Sequence, residues 1–221
     1  MSNRKSFKAF TLVELLTVIA IIGVLVAFLI PILQALKIHQ YESQTKAEMA
    51  QLKTAIEGYK AAFGFYPPDN PGNPLLNQLY YELVGTINTS SAPQTFQTLD
   101  GSQKLTTADL NTAFGLGVSA FINCSRPGAG ENAAAGKNFI HELKPGQTGT
   151  YSGVTLLTSS VNGPDANYTP LVGSSLNPWR YIAQGKNNPG SYDLWIQLSI
   201  SGKKYLICNW SKEVQINNPL P

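Results

Sequence analysis

Residues 10–33 read FTLVELLTVIAIIGVLVAFLIPIL, and this stretch decides how the chain is built. Its last nineteen residues, 15–33, carry no charge. An apolar helix of about 20 residues spans the hydrocarbon core of a bilayer. A secretory signal peptide has a shorter apolar core with a small-residue cleavage site after it, whereas here the helical pattern simply continues. We therefore predict a membrane helix that is retained.

The charge of the chain indicates a topology for this helix. Arg4, Lys5 and Lys8 precede it with no acidic residue among them, and the chain as a whole has a net charge of +3. Short basic flanks stay in the cytoplasm. We expect residues 1–9 to be a cytoplasmic leader and the rest to cross a membrane once, with the bulk outside. The sequence has no polybasic block large enough to suggest nucleic-acid binding, so we expect no nucleic-acid partner.

Glu14 is the only charged residue in the stretch, and its neighbours give it a context. Residues 8–16, KAFTLVELL, resemble the signature of type IV prepilins: a basic leader, a small residue, Phe-Thr-Leu-x-Glu and a long apolar helix. The resemblance implies that prepilin peptidase cuts between Ala9 and Phe10 and methylates the Phe10 amine. Most family members carry Gly before the cut, where this chain has Ala9.

Glu14 is thereby a candidate for setting the position of subunits in a filament. Cleavage before Phe10 creates a positive amine close to the Glu14 carboxylate on one helix face. In a filament, we expect the Glu14 of one subunit to meet the Phe10 amine of its neighbour. An unpaired charge in an apolar core costs several kcal/mol, so pairing penalises a subunit in the wrong axial register.

Gly23 and Pro31 are the candidate flexible points of this helix. Proline removes a backbone hydrogen bond and kinks or loosens a helix. Related pilins carry a proline at the position of Pro31. Both residues would let the segment stretch as the subunit leaves the membrane. A tolerated transmembrane kink is the other interpretation, and the two are compatible.

Beyond residue 33 the helical pattern becomes amphipathic. Apolar residues recur at spacings of 3, 4, 3 and 4, which is one helical stripe: Met49, Leu52, Ile56, Tyr59 and Phe63. Charged residues, among them Lys46 and Glu48, are predicted to fall off this stripe. Gly64 and Pro67-Pro68 then end the helix. The stripe is expected to cover a sheet.

The resemblance implies an α+β, pilin-like fold. A helix at 10–63, with a membrane or filament-core half at 10–33 and an amphipathic half at 34–63, would pack against a small antiparallel sheet. The head would span 64–221, with a variable loop region at 85–175 and the sheet at 176–211. Within the variable region, the Ser- and Thr-rich stretch 88–103 is interpreted as loop.

The end of the chain favours a secretion-type pseudopilin over an adhesive pilus subunit. Its motifs occur in the order that resembles the pseudopilin pattern: Asn177-Pro178-Trp179, Tyr181, Pro189-Gly190, Tyr192-Asp193-Leu194 and Asn209-Trp210. Residues 65–69, FYPPD, also resemble the segment after the helix in type II secretion pseudopilins. In major pseudopilins the loop between the last strands binds calcium through aspartates. Here residues 199–204 read SISGKK, without a carboxylate, so we expect no such calcium site and no other cofactor.

The remaining candidate chemistry is sparse. Cys124 and Cys208 would lie outside the cytoplasm, which permits a disulfide, and two separate buried thiols are the alternative. His39 and His141 lack metal-ligand spacing. We find no catalytic constellation and predict no enzyme activity.

Three functions remain open from the sequence. The first is a subunit of a type II secretion pseudopilus, with like subunits, minor pseudopilins, prepilin peptidase and an inner-membrane assembly platform as partners. The second is a subunit of a type IV pilus for adhesion, motility or DNA uptake. The third is a single-pass, membrane-anchored binding module that forms no filament, with a ligand surface within 85–175.

Overall fold

A computed structural model of the chain describes residues 11–70, 72–115, 118–126 and 135–218. These residues form three helices and ten strands. In chain order they are α1 (Leu12–Phe63), α2 (Leu79–Val84), β1 (Thr86–Ser91), β2 (Gln94–Thr98), β3 (Lys104–Thr106), α3 (Thr107–Phe114), β4 (Cys124–Ser125), β5 (Thr148–Tyr151), β6 (Val154–Leu157), β7 (Arg180–Ile182), β8 (Asp193–Ile200), β9 (Lys203–Cys208) and β10 (Gln215–Ile216). The fold class is therefore α+β, as predicted.

The chain divides into two compact units, Met1–Tyr41 and Glu42–Pro221. The described part of the first unit is the first stretch of α1, which has no core of its own because its apolar side chains are exposed. The second unit holds the last stretch of α1 and all other elements, and it contains the buried core.

The described residues of the second unit form three sheets. One has the strand order β3-β2-β1-β4, another has the order β10-β9-β8-β7, and β5 pairs with β6. All strand pairs are antiparallel except β1 with β4. The C-terminal sheet contributes much of the core, since Leu194, Ile196 and Leu198 of β8 are fully buried.

A two-residue turn joins β8 to β9. Ile200 pairs with Lys203, and the residues between them, Ser201 and Gly202, have φ angles of 53° and 75°. Positive φ at both central positions defines a type I′ turn, whose twist matches that of the flanking strands. The β8–β9 hairpin is therefore a tight one.

The prediction that 88–103 is loop is wrong. This stretch forms most of β1 and β2, and the variable region 85–175 contains two of the three sheets. Its strands were hidden because they bury threonines together with few apolar residues: Thr95 and Thr98 are buried beside Phe96. The C-terminal sheet also extends past the predicted limit of 211, because Gln215–Ile216 pairs with β9.

Candidate assembly segment

The N-terminus of α1 is closed by a reciprocal pair of side chains. Thr11 precedes the helix, and its hydroxyl accepts a hydrogen bond from the Glu14 amide at 3.2 Å. The Glu14 carboxylate accepts in return from the Thr11 amide at 2.9 Å and from the Thr11 hydroxyl at 2.8 Å. This is a capping box, which satisfies amides that have no partner within the helix.

Glu14 thus has a local structural role that the sequence reasoning missed, although the Thr-x-x-Glu spacing of residues 11–14 signals it. The capping box is exposed, so its carboxylate is open to a further partner. The predicted processing residues, Ala9 and Phe10, lie outside the described residues. The proposed pairing of Glu14 with a Phe10 amine remains a prediction.

The apolar part of α1 exposes its described side chains. Every described large apolar side chain from Leu12 to Leu36 is at least 45% exposed. The helix is long and apolar enough to cross a membrane by length and composition. Burying such a surface in lipid or against other helices removes it from water, at about 25 cal/mol per Å².

The two predicted flexible points lie inside this helix. Residues 12–63 are helical without interruption, so α1 continues through Gly23 and Pro31. A Cβ at Gly23 would meet nothing within 4 Å. The role of the two residues in stretching is therefore still a prediction.

The last stretch of α1 anchors the second unit. Of the predicted stripe, Leu52, Ile56 and Tyr59 are buried, whereas Met49 and Phe63 are half-buried. Phe63 packs on Tyr59 with ring centroids 4.5 Å apart.

Glu48 is also buried, which contradicts the prediction that it falls off the stripe. It is 6% exposed. Its carboxylate accepts hydrogen bonds from the Ser160 hydroxyl and from the Ser160 amide, the latter at 3.3 Å. The Ser160 hydroxyl also accepts from the Gln44 side chain at 2.6 Å. Pairing with a distant loop makes burial of this charge tolerable, and sequence spacing alone gives no sign of that partner.

A second buried carboxylate ties α1 to the rest of the head. Glu82 of α2 is fully buried and accepts from the Tyr59 hydroxyl at 3.0 Å. It also accepts from the amides of Ile122 and Asn123, both at 2.9 Å. Burial raises the pKa of Glu82, and these hydrogen bonds oppose the rise. The same carboxylate raises the pKa of Tyr59, in addition to the larger effect of burial.

The two cysteines are free thiols in the structure. Cys124 is half-buried in β4 and Cys208 is buried in β9. Burial raises the pKa of both thiols, which keeps them in the less reactive protonated form. The disulfide that the sequence permitted is not formed.

Comparison with known proteins identifies a motif in the N-terminal segment. Residues 4–30 match the model of the prokaryotic N-terminal methylation motif. No curated protein and no solved structure matches the chain.

The motif indicates the kind of processing and assembly that the chain undergoes. It indicates a type IV pilin-like subunit that prepilin peptidase processes and that assembles with other pilin-like subunits. The apolar helix fits a membrane-anchored protein of this kind, and the motif suggests a structural subunit and not an enzyme.

Proposed function

We propose that the protein is a subunit of a type II secretion pseudopilus. It is made as an inner-membrane precursor, cut between Ala9 and Phe10, methylated, and then extracted into a short filament. Minor pseudopilins and an inner-membrane platform are its partners in assembly. The observation that carries the proposal is the C-terminal pattern, whose residues interlock in the structure.

Asn209 and Asp193 show this interlocking. The Asn209 side chain accepts from the Leu194 amide at 3.0 Å and donates to the Tyr192 carbonyl at 2.8 Å. Asp193 accepts from the amides of Asn187 at 2.9 Å and Asn188 at 3.0 Å, which lie just before Pro189-Gly190. Residues that are far apart in the pattern therefore hold one another in place.

The first residues of the pattern join the same arrangement. The Asn177 side chain donates to the Gln197 carbonyl of β8 at 2.8 Å. The Tyr181 hydroxyl donates to the Pro67 carbonyl at 2.8 Å, and Asp69 accepts from the Ala183 amide at 2.7 Å. This connects the 65–69 segment to β7, so both resemblances to pseudopilins involve one structural unit.

We propose further that the loop between the last strands works without calcium. The Asp165 carboxylate accepts from the amides of Ser201 at 2.8 Å and Gly202 at 2.9 Å and from the Ser199 hydroxyl at 3.0 Å. The Gly202 amide is the main reason why the pKa of Asp165 is lowered. A carboxylate from a neighbouring loop thus fixes the turn that a metal ion fixes in major pseudopilins.

Deletion of the gene in the native bacterium tests the secretion assignment. We expect loss of exoprotein from the culture medium, restoration by the full chain, and no restoration by Glu14→Ala. Surface filaments should be unchanged in electron micrographs. Normal secretion together with loss of surface pili would contradict the proposal and favour a type IV pilus subunit. Restoration by Glu14→Ala without any assembly would favour the anchored binding module.

A further inference from the structure

A groove of about 430 Å³ lies between α1 and the segment that follows β9, entirely within the second unit. Its apolar lining includes Met49 and Trp210, together with Ile207, Cys208 and Val214. Lys46 and Lys53 line the α1 side, and Lys212 lines the other. No function assigned so far uses this groove.

The lysines of the groove are available for a ligand. Lys46, Lys53 and Lys212 are all exposed, and none forms an ion pair or a side-chain hydrogen bond with any residue that the structure describes. The only acidic residue among the groove's lining is Glu213. The groove therefore has an excess of positive charge, which is complementary to an acidic partner.

The groove also offers an apolar contact. Trp210 is half-buried and packs edge-on against Trp195, with ring centroids 5.8 Å apart. Trp195 is itself buried, so it holds the Trp210 ring from one side. A partly exposed, supported aromatic ring is typical of the anchor positions of protein interfaces.

The spacing of the lysines indicates the conformation of the partner. Lys46 and Lys53 lie seven residues apart on one helix face, which is about 10.5 Å along α1. In a polyproline II segment, residues three apart point the same way and lie about 9.3 Å from each other. Two carboxylates at that spacing match the two lysines.

From these observations we propose that the groove binds an extended, acidic segment of another protein. Two carboxylates three residues apart contact Lys46 and Lys53, and an apolar side chain between them packs on Trp210. The inference does not depend on which filament the chain joins.

Calorimetric titration of the full chain in nonionic detergent tests this proposal. The probe is an acetylated, amidated peptide Pro-Glu-Pro-Leu-Glu-Pro, and its counterpart carries Lys in place of both Glu. We expect binding of the first peptide only, weakened by added salt because exposed charges are screened. Trp210 fluorescence should change on binding.

Paired variants locate the site. Lys46→Glu/Lys53→Glu should weaken binding by about tenfold, since it replaces two attractions with two repulsions. Lys104→Glu/Lys186→Glu changes the net charge equally at exposed lysines outside the groove and should bind as the parent does. If the Lys46→Glu/Lys53→Glu variant misfolds, Lys46→Gln/Lys53→Gln is used in its place. We expect that variant to bind the glutamate peptide about threefold more weakly than the parent does.

Three results would overturn the proposal: equal binding of both peptides, equal loss in both pairs of variants, or no binding of the glutamate peptide. Binding of the chain to anionic lipid vesicles through these lysines, in place of the peptide, would assign the groove to membranes and would also overturn it.

Discussion

Glu14 combines two roles at the scale of single residues. It closes the capping box with Thr11, and we propose that it also sets axial register against the Phe10 amine of a neighbouring subunit. The first role needs only the chain itself, whereas the second needs a filament. Variants at the two positions of the capping box separate these roles.

Glu14→Ala should abolish filament assembly, because it leaves the amine without a partner in an apolar core. Thr11→Ala removes the cap, at a cost of about 0.5–2 kcal/mol in helix stability, but keeps the carboxylate. It should therefore still assemble. Sedimentation of sheared filaments, with immunoblotting, measures both variants. If Thr11→Ala loses filament assembly to the same extent as Glu14→Ala, the loss of the helix cap explains both phenotypes. The register role would then be unnecessary.

Glu82 is a buried residue whose replacement should destabilise the head. The Glu82 carboxylate accepts hydrogen bonds from the Tyr59 hydroxyl and from the Ile122 and Asn123 amides. In Glu82→Gln, an NH₂ group replaces one carboxylate oxygen and therefore faces one or more of these donors. Leaving a buried donor unsatisfied costs about 1–3 kcal/mol, so we expect a loss of that size in the free energy of unfolding. Denaturant unfolding followed by tryptophan fluorescence measures it. Glu213→Gln, at an exposed site, is the matched control and should unfold like the parent.

At the scale of elements, α1 was largely predictable and β1 and β2 were not. The 3–4 spacing of apolar residues and the Gly64-to-Pro68 ending predicted a helix to Phe63, where α1 does end. β1 and β2 carry few apolar residues among Thr, Ser, Asn and Gln, so no alternating apolar pattern marks them in the sequence. The burial of Glu48 was unpredictable for another reason, because its partner Ser160 lies 112 residues away.

Ile56→Ala tests the anchoring of α1 in the second unit. Ile56 is fully buried, so the change leaves a cavity and should lower the free energy of unfolding by about 2–5 kcal/mol. Met49→Ala, on the same helix but half-buried beside the groove, should cost clearly less. Denaturant titration of both variants gives the comparison. Equal losses would contradict the assignment of the buried face.

Calcium should have no effect on the β8–β9 hairpin. A ligand that binds the folded state raises its melting temperature. We therefore expect the same melting temperature in millimolar CaCl₂ and in EGTA, by differential scanning fluorimetry. Asp165→Ala should lower the melting temperature in both, because it removes the acceptor for the Ser201 and Gly202 amides. A calcium-dependent rise in the parent would contradict the proposal that Asp165 replaces the ion.

At the scale of the whole molecule, the two units have opposite relations to their surroundings. The first exposes apolar side chains that only lipid or other helices would cover, and the second buries its own core. Short-range sequence signals defined the first unit, because a membrane helix and a processing motif are local patterns. The second unit depends on distant pairs such as Glu48–Ser160 and Asp165–Gly202, which no local pattern encodes.

The central claim is that the chain is processed as a prepilin and used as a filament subunit. The intact mass and N-terminal sequence of the protein purified from its native membrane test it most directly. We predict a mature chain that starts at Phe10 with an N-methylated amine and lacks residues 1–9. A protein that keeps Met1 and the residues after it would contradict the account.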